Sequence, residues 1–171
     1  GGITLKGDAN DRPVLRVNSK EGHLLVVEGC NDVEIRNLVL RGTSPGKGSQ
    51  EWLKYRSLVV MEDSDGEIHN CRIGRCGKNG LLISKNGLLK IVDCTISNNL
   101  NYGLELRNSK ARLYLLNCDL SGNGSGFLAD DNASITAKNC SVSGNSYYGG
   151  DLRDTDGKGS FYVCHFTDNK A

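Results

Sequence analysis

The chain has 171 residues, of which 22 are Gly, 2 Pro, 7 Cys and 1 Met, with a net charge of +1. The Gly residues follow no three-residue period and come almost without Pro, which excludes collagen and Pro-rich disorder. The near-neutral balance gives no basic field for nucleic acid, and no apolar run is long enough for a membrane span, so neither is an expected partner.

In chain order, Ile3-Thr4-Leu5-Lys6-Gly7 is a short alternating run and is expected as a strand. Ile35-Arg36-Asn37-Leu38-Val39-Leu40 is the first copy of a frame that recurs. Its next copy, Ile68-His69-Asn70-Cys71-Arg72-Ile73, comes 33 residues later, about ten more than the later spacing. The excess falls in residues 43–56, which carry Ser44-Pro45-Gly46, Trp52 and Tyr55 and are expected to form an insertion loop. Only Glu51 to Arg56 hints at a helical period.

From there the repeat is regular. Cys71, Cys94, Cys118, Cys140 and Cys164 are 23, 24, 22 and 24 residues apart, and Gly80, Gly103, Gly126 and Gly149 follow at 23. That period is too short for paired-helix repeats and for propeller blades. Within it, apolar and polar residues alternate, so three short strands and their turns fit one repeat. The alternation slips phase at the residue before each Cys, a column of Asn37, Asn70, Asp93, Asn117 and Asn139, and a turn is expected there. A second column holds Asn99, Asn123, Asn145 and Asn169, with Cys76 in the equivalent place one repeat earlier. Stacked Asn side chains can bond one another and satisfy bend backbone groups.

The five periodic thiols face inward on this reading, as small apolar fillers. There is no C-x-x-C, and His23, His69 and His165 lie too far apart in the repeat to share an ion, so no metal site is expected. Cys30 and Cys76 lie off the column, near turns.

The Asn-Cys-x-Ile/Leu-Ser-x-Asn blocks and the Gly-Leu-x-Leu runs, between about Leu24 and Asn169, resemble the right-handed parallel β-helix repeat of the pectate-lyase-like superfamily. The resemblance implies an all-β solenoid of about six to seven coils with three short parallel sheets, a single domain over residues 1–171. No cap is evident after Asn169, so either a fragment of a larger protein or coils that pair end to end is expected. Family enzymes place saccharide-binding and catalytic groups on the outer face of the Gly-led sheet.

In that sheet, alternation turns Leu58/Val60, Leu81/Ile83, Leu104/Leu106, Phe127/Ala129 and Gly150/Leu152 inward. It turns outward the columns Val59, Leu82, Glu105, Leu128, Asp151 and Met61, Ser84, Arg107, Asp130, Arg153. Asp130, Asp151, Glu105, Arg107 and Arg153 are therefore the candidate catalytic residues. Two carboxylates can serve as acid and base or nucleophile across a glycosidic bond. For a lyase, carboxylates would hold Ca²⁺ while Arg removes an α-proton; otherwise no cofactor is expected. Tyr102, Tyr148, Trp52 and Tyr55 are candidate ligand-binding aromatics. The competing reading of Arg107–Asp130–Arg153 is a cross-strand ion-pair ladder on a solvated sheet.

The Asn-Thr-Asp, Gly-His-Gly and Arg-Ile-Lys signatures of polygalacturonases and the Trp-Ile-Asp-His block of pectate lyases do not occur. The leading expectation is thus a non-enzymatic module that presents an elongated surface to a polysaccharide or protein partner. A polysaccharide lyase or glycoside hydrolase and a structural repeat of an adhesin or adaptor are the alternatives.

Overall fold

The computed structural model describes residues 2–17, 22–43, 56–107, 110–153 and 159–170. Trp52, Tyr55 and residues 44–55 of the loop expected at 43–56 lie outside the described residues. Strands β1 (Ile3–Lys6), β2 (Val14–Arg16) and β3 (Leu25–Glu28) trace one coil. The same order of three recurs in β4 (Val33–Arg36), β5 (Val39–Arg41) and β6 (Val59–Glu62), then in β7 (Gly66–His69), β8 (Arg72–Gly74) and β9 (Leu81–Ser84). It continues through β10 (Leu88–Val92), β11 (Thr95–Ser97) and β12 (Tyr102–Arg107), and β13 (Arg112–Leu116), β14 (Asp119–Ser121) and β15 (Ser125–Ala129). Last come β16 (Ser134–Lys138), β17 (Ser141–Ser143) and β18 (Gly150–Leu152), then β19 (Gly159–Tyr162) and β20 (His165–Thr167).

Every strand pairs in parallel with its equivalent one coil away, giving two seven-stranded sheets and one six-stranded sheet. Sheet A runs from β1 to β19, sheet B from β2 to β20, and sheet C, the Gly-led one, from β3 to β18. The fold is an all-β parallel solenoid, and among the described residues there is no helix. One coil cannot enclose its own apolar side chains; stacking makes a single interior of Ile, Leu, Val and Cys columns. Leu81, Leu104 and Phe127 are partners down sheet C, as Ile68, Ile91, Leu115 and Ala137 are down sheet A.

One stretch departs from the expected register. In β6, Val59 and Met61 pair with Leu81 and Ile83 and point inward, so the outward residues are Val60 and Glu62, not Val59 and Met61. The insertion before β6 hides the phase, and an apolar run such as Leu58-Val59-Val60-Met61 carries no alternation to restore it.

The periodic thiols face the interior: Cys71, Cys94, Cys118 and Cys140 are buried, and all seven Cys are unpaired. Each of these four also donates weakly to the carbonyl two residues back, at 3.2, 3.1, 3.3 and 3.3 Å. A small apolar side chain with one donor suits a bend where a carbonyl turns inward. The neighbouring thiol of the stack and burial push Cys94 and Cys118 up, so they stay protonated.

The two Asn columns are real and differ in setting. The residues before the Cys take left-handed backbone, with φ of 57° at Asn37, 51° at Asn70, 54° at Asp93, 54° at Asn117 and 53° at Asn139. Their amides bond along the outside, Asn117 to Asp93 at 2.9 Å and Asn139 to Asn117 at 3.3 Å. The second column is buried. Asn99, Asn123 and Asn145 each donate both backbone N–H and Nδ2–H to the Asn Oδ1 of the next coil or to a strand carbonyl.

The Gly column is tied to this buried ladder. A Cβ on Gly103 would stand 2.9 Å from Asn123 Nδ2 and one on Gly149 would stand 2.9 Å from Asn169 Nδ2. The Gly and Asn markers of the sequence are therefore two halves of one packing unit.

Candidate functional site

The outer face of sheet C gathers the five charged candidates. Registers place Glu105, Leu128 and Asp151 in one outward column. Arg107, Asp130 and Arg153 follow two residues on, since the Asp130 N–H donates to the Leu106 carbonyl and the Arg153 N–H to the Ala129 carbonyl. Tyr102 stands at the start of the same strand, level with Ser125. Tyr148 lies in the following coil, where its N–H donates to Ser125 Oγ at 3.4 Å.

The ion pairs run along strands, not across them. Arg107 Nε lies 2.5 Å from Glu105 Oε1. Arg153 donates from Nε and Nη2 to Asp151 Oδ2 at 2.8 and 2.5 Å. The expected Arg107–Asp130–Arg153 ladder does not form, because each guanidinium reaches the carboxylate two residues back on its own strand. Asp130 Oδ1 instead accepts the Asp131 N–H at 3.0 Å and opens the turn into β16.

Glu105 is unusual for an outward residue: it is 1% exposed. Its Oε2 accepts a hydrogen bond from Asn79 Nδ2, and Asn79 in turn donates to Ser57 Oγ at 3.2 Å. Asn79 Oδ1 accepts from Asn101 Nδ2 at 3.0 Å and from the Tyr102 N–H at 3.2 Å, so the amide is fixed from both sides. Burial pushes the Glu105 carboxyl up, against the pull of Arg107 and Lys78. Burial likewise pushes the Tyr102 phenol up.

Leu128 and Val60 are buried on this outer face, outside the solenoid interior. Arg107 and Arg153 keep half of their side-chain surface in solvent, and Tyr148 is 47% exposed. The face therefore offers donors, acceptors and one open ring around an apolar centre.

The sequence brings together Tyr102, Glu105, Arg107, Asp130, Tyr148, Asp151 and Arg153 on one face. Its alternation does not reveal Asn79, which holds Glu105 from the neighbouring coil, or Ser57, which holds Asn79 from the coil before that. The only trace of them is their place just before the Gly-led strands. Among the described residues, no three His, Cys, Asp or Glu side chains converge as a metal site would need.

Fold and ladders define a parallel β-solenoid with interior Cys and Asn stacks. The family model for the right-handed β-helix region matches residues 1–171, and the chain belongs to that family. No curated protein matches the chain.

Proposed function

We propose that the chain is a binding module whose outer sheet C face holds an elongated glycan without turning it over. The observation that carries this reading is that its carboxylates are already committed. Asp151 is forked to Arg153, Asp130 opens a turn, and Glu105 is enclosed by Asn79 and Arg107. The guanidiniums and Tyr148, by contrast, remain open to a partner.

A hydrolase is the second reading, and one observation favours it. Glu105 has the raised carboxyl of a general acid. It shares a column with Asp151 two coils away, about 9.6 Å at the backbone, near the spacing of an inverting pair. That reading requires Glu105 to emerge from burial. Polyuronate cleavage followed at the unsaturated-product absorbance, with and without Ca²⁺, together with a reducing-sugar assay and a glycan array, separates the two. Binding without product is expected. Product formation that disappears in Asp151→Ala with the fold retained would establish the enzyme. Silence in all three assays would leave a structural repeat or a protein-binding surface and overturn the proposal.

A further inference from the structure

Two strands of sheet C carry the same outward signature. Tyr102-Gly103-Leu104-Glu105-Leu106-Arg107 and Tyr148-Gly149-Gly150-Asp151-Leu152-Arg153 both present Tyr, an acid and Arg. The strand between them, Ser125-Gly126-Phe127-Leu128-Ala129-Asp130, presents Ser, Leu and Asp in the same places. The outward pattern of residues therefore repeats every second coil, about 9.6 Å along the axis. In both copies the Arg lies within ion-pair distance of the acid two residues before it, with Glu105 buried and Asp151 partly open.

From this we infer that the face is built for a neutral, β-1,4-linked glycan lying along the solenoid axis, one sugar per coil. The inference rests on the binding reading above. An equatorially linked pyranose chain advances by close to one coil spacing per sugar. It also turns over at each step, so the same edge returns at every second sugar, as the protein's signature does. An extended peptide returns the same side every two residues, about 6.6–6.8 Å, and misses this register.

The charge of the face selects a neutral chain. Glu105, Asp130 and Asp151 offset Arg107 and Arg153, with Lys78 close enough to Glu105 to act on its carboxyl. Among the described residues of this face, no cation is left over for a carboxylate on every sugar. Vicinal hydroxyls, in contrast, find donors in guanidiniums that have five N–H groups each, of which each pair uses one or two, and an acceptor in Asp151, whose Oδ1 is left outside the pair with Arg153. The half-exposed Tyr148 ring supplies an apolar surface for a sugar's C–H face.

Calorimetric titration of the full chain tests this. The probes are β-1,4-linked glucose and N-acetylglucosamine oligomers of two, three and four sugars, against oligogalacturonates and oligoalginates. Neutral oligomers should bind, with affinity rising about tenfold from the disaccharide to the trisaccharide, which first reaches both signatures, and little beyond. Affinity should be nearly independent of salt. Tyr148→Ala should abolish the gain at the third sugar and keep disaccharide affinity, with an unchanged circular dichroism spectrum. Binding confined to the uronate oligomers, weakened by salt, would overturn the neutral ligand and leave the binding reading standing. A smooth rise with length would overturn the two-coil register. No binding to any oligomer would overturn both.

Discussion

The two asparagine columns look alike in the sequence and do different work. In the buried column, Asn99, Asn123 and Asn145 are about 1% exposed, and each amide satisfies backbone groups that no water reaches. In the outer column, Asn117 and Asn139 stand in solvent, and their common property is left-handed backbone. Asn is chosen inside for its hydrogen bonds and outside for its tolerance of positive φ. Identical residue types at one period can thus answer separate physical demands, and substitution separates them.

The largest effect is expected at Asn123. Asn123→Ala strips the acceptor from the Asn99 N–H and Nδ2–H, at 3.1 and 2.9 Å, and the donor from the Ile96 carbonyl, at 3.0 Å. A loss of about 2–4 kcal/mol is expected in denaturant unfolding, since each buried group left unpaired is costly. In the outer column, Asn117→Ala should lose about 1–2 kcal/mol from the left-handed position, while Asn117→Gly should be nearly neutral. Equal losses for the Ala and Gly variants would assign the outer column to hydrogen bonding and erase the distinction.

Val163 sharpens the same point. It occupies the outer column's place in the last coil at φ 53° and is 71% exposed. A β-branched residue is strained there, so Val163→Asn should raise stability by about 1 kcal/mol. The smallest effect is expected at Glu105, buried like the inner ladder yet ionisable. Its carboxyl is raised in the folded state, so folding favours the protonated form. Stability should fall as pH rises from the unfolded carboxyl value through the folded one and stay lower above it. Glu105→Gln should flatten that step in unfolding midpoints measured against pH, and an unchanged step would place its origin elsewhere.

Much of this was legible because a solenoid writes its structure as a period. The Cys and Asn columns, three strands per repeat and the outward set Glu105, Arg107, Asp130, Asp151 and Arg153 follow from spacing and alternation alone. The β6 register was not, because the insertion breaks the count just before an unpatterned apolar run. Burial of Glu105 was hidden because alternation reports which way a residue points, whereas its cover comes from Asn79 and Arg107. The direction of the ion pairs was hidden for a similar reason: cross-coil neighbours do pair elsewhere, as Lys85 with Glu62 at 2.5 Å, and only side-chain reach decides between them. The link between Gly103 and Asn123 lies twenty positions apart in the chain and appears only when the coils stack.

The solenoid interior is packing, and the recognition surface proposed above is the outer face of sheet C. Chemical-shift mapping of the labelled chain with a β-1,4-linked glucose trisaccharide tests it most directly. Perturbations should cluster on Tyr102, Arg107, Leu128, Tyr148 and Arg153, with strands β11, β14 and β17 of sheet B unmoved. Shifts centred on sheet A or sheet B, or none at saturating trisaccharide, would contradict it.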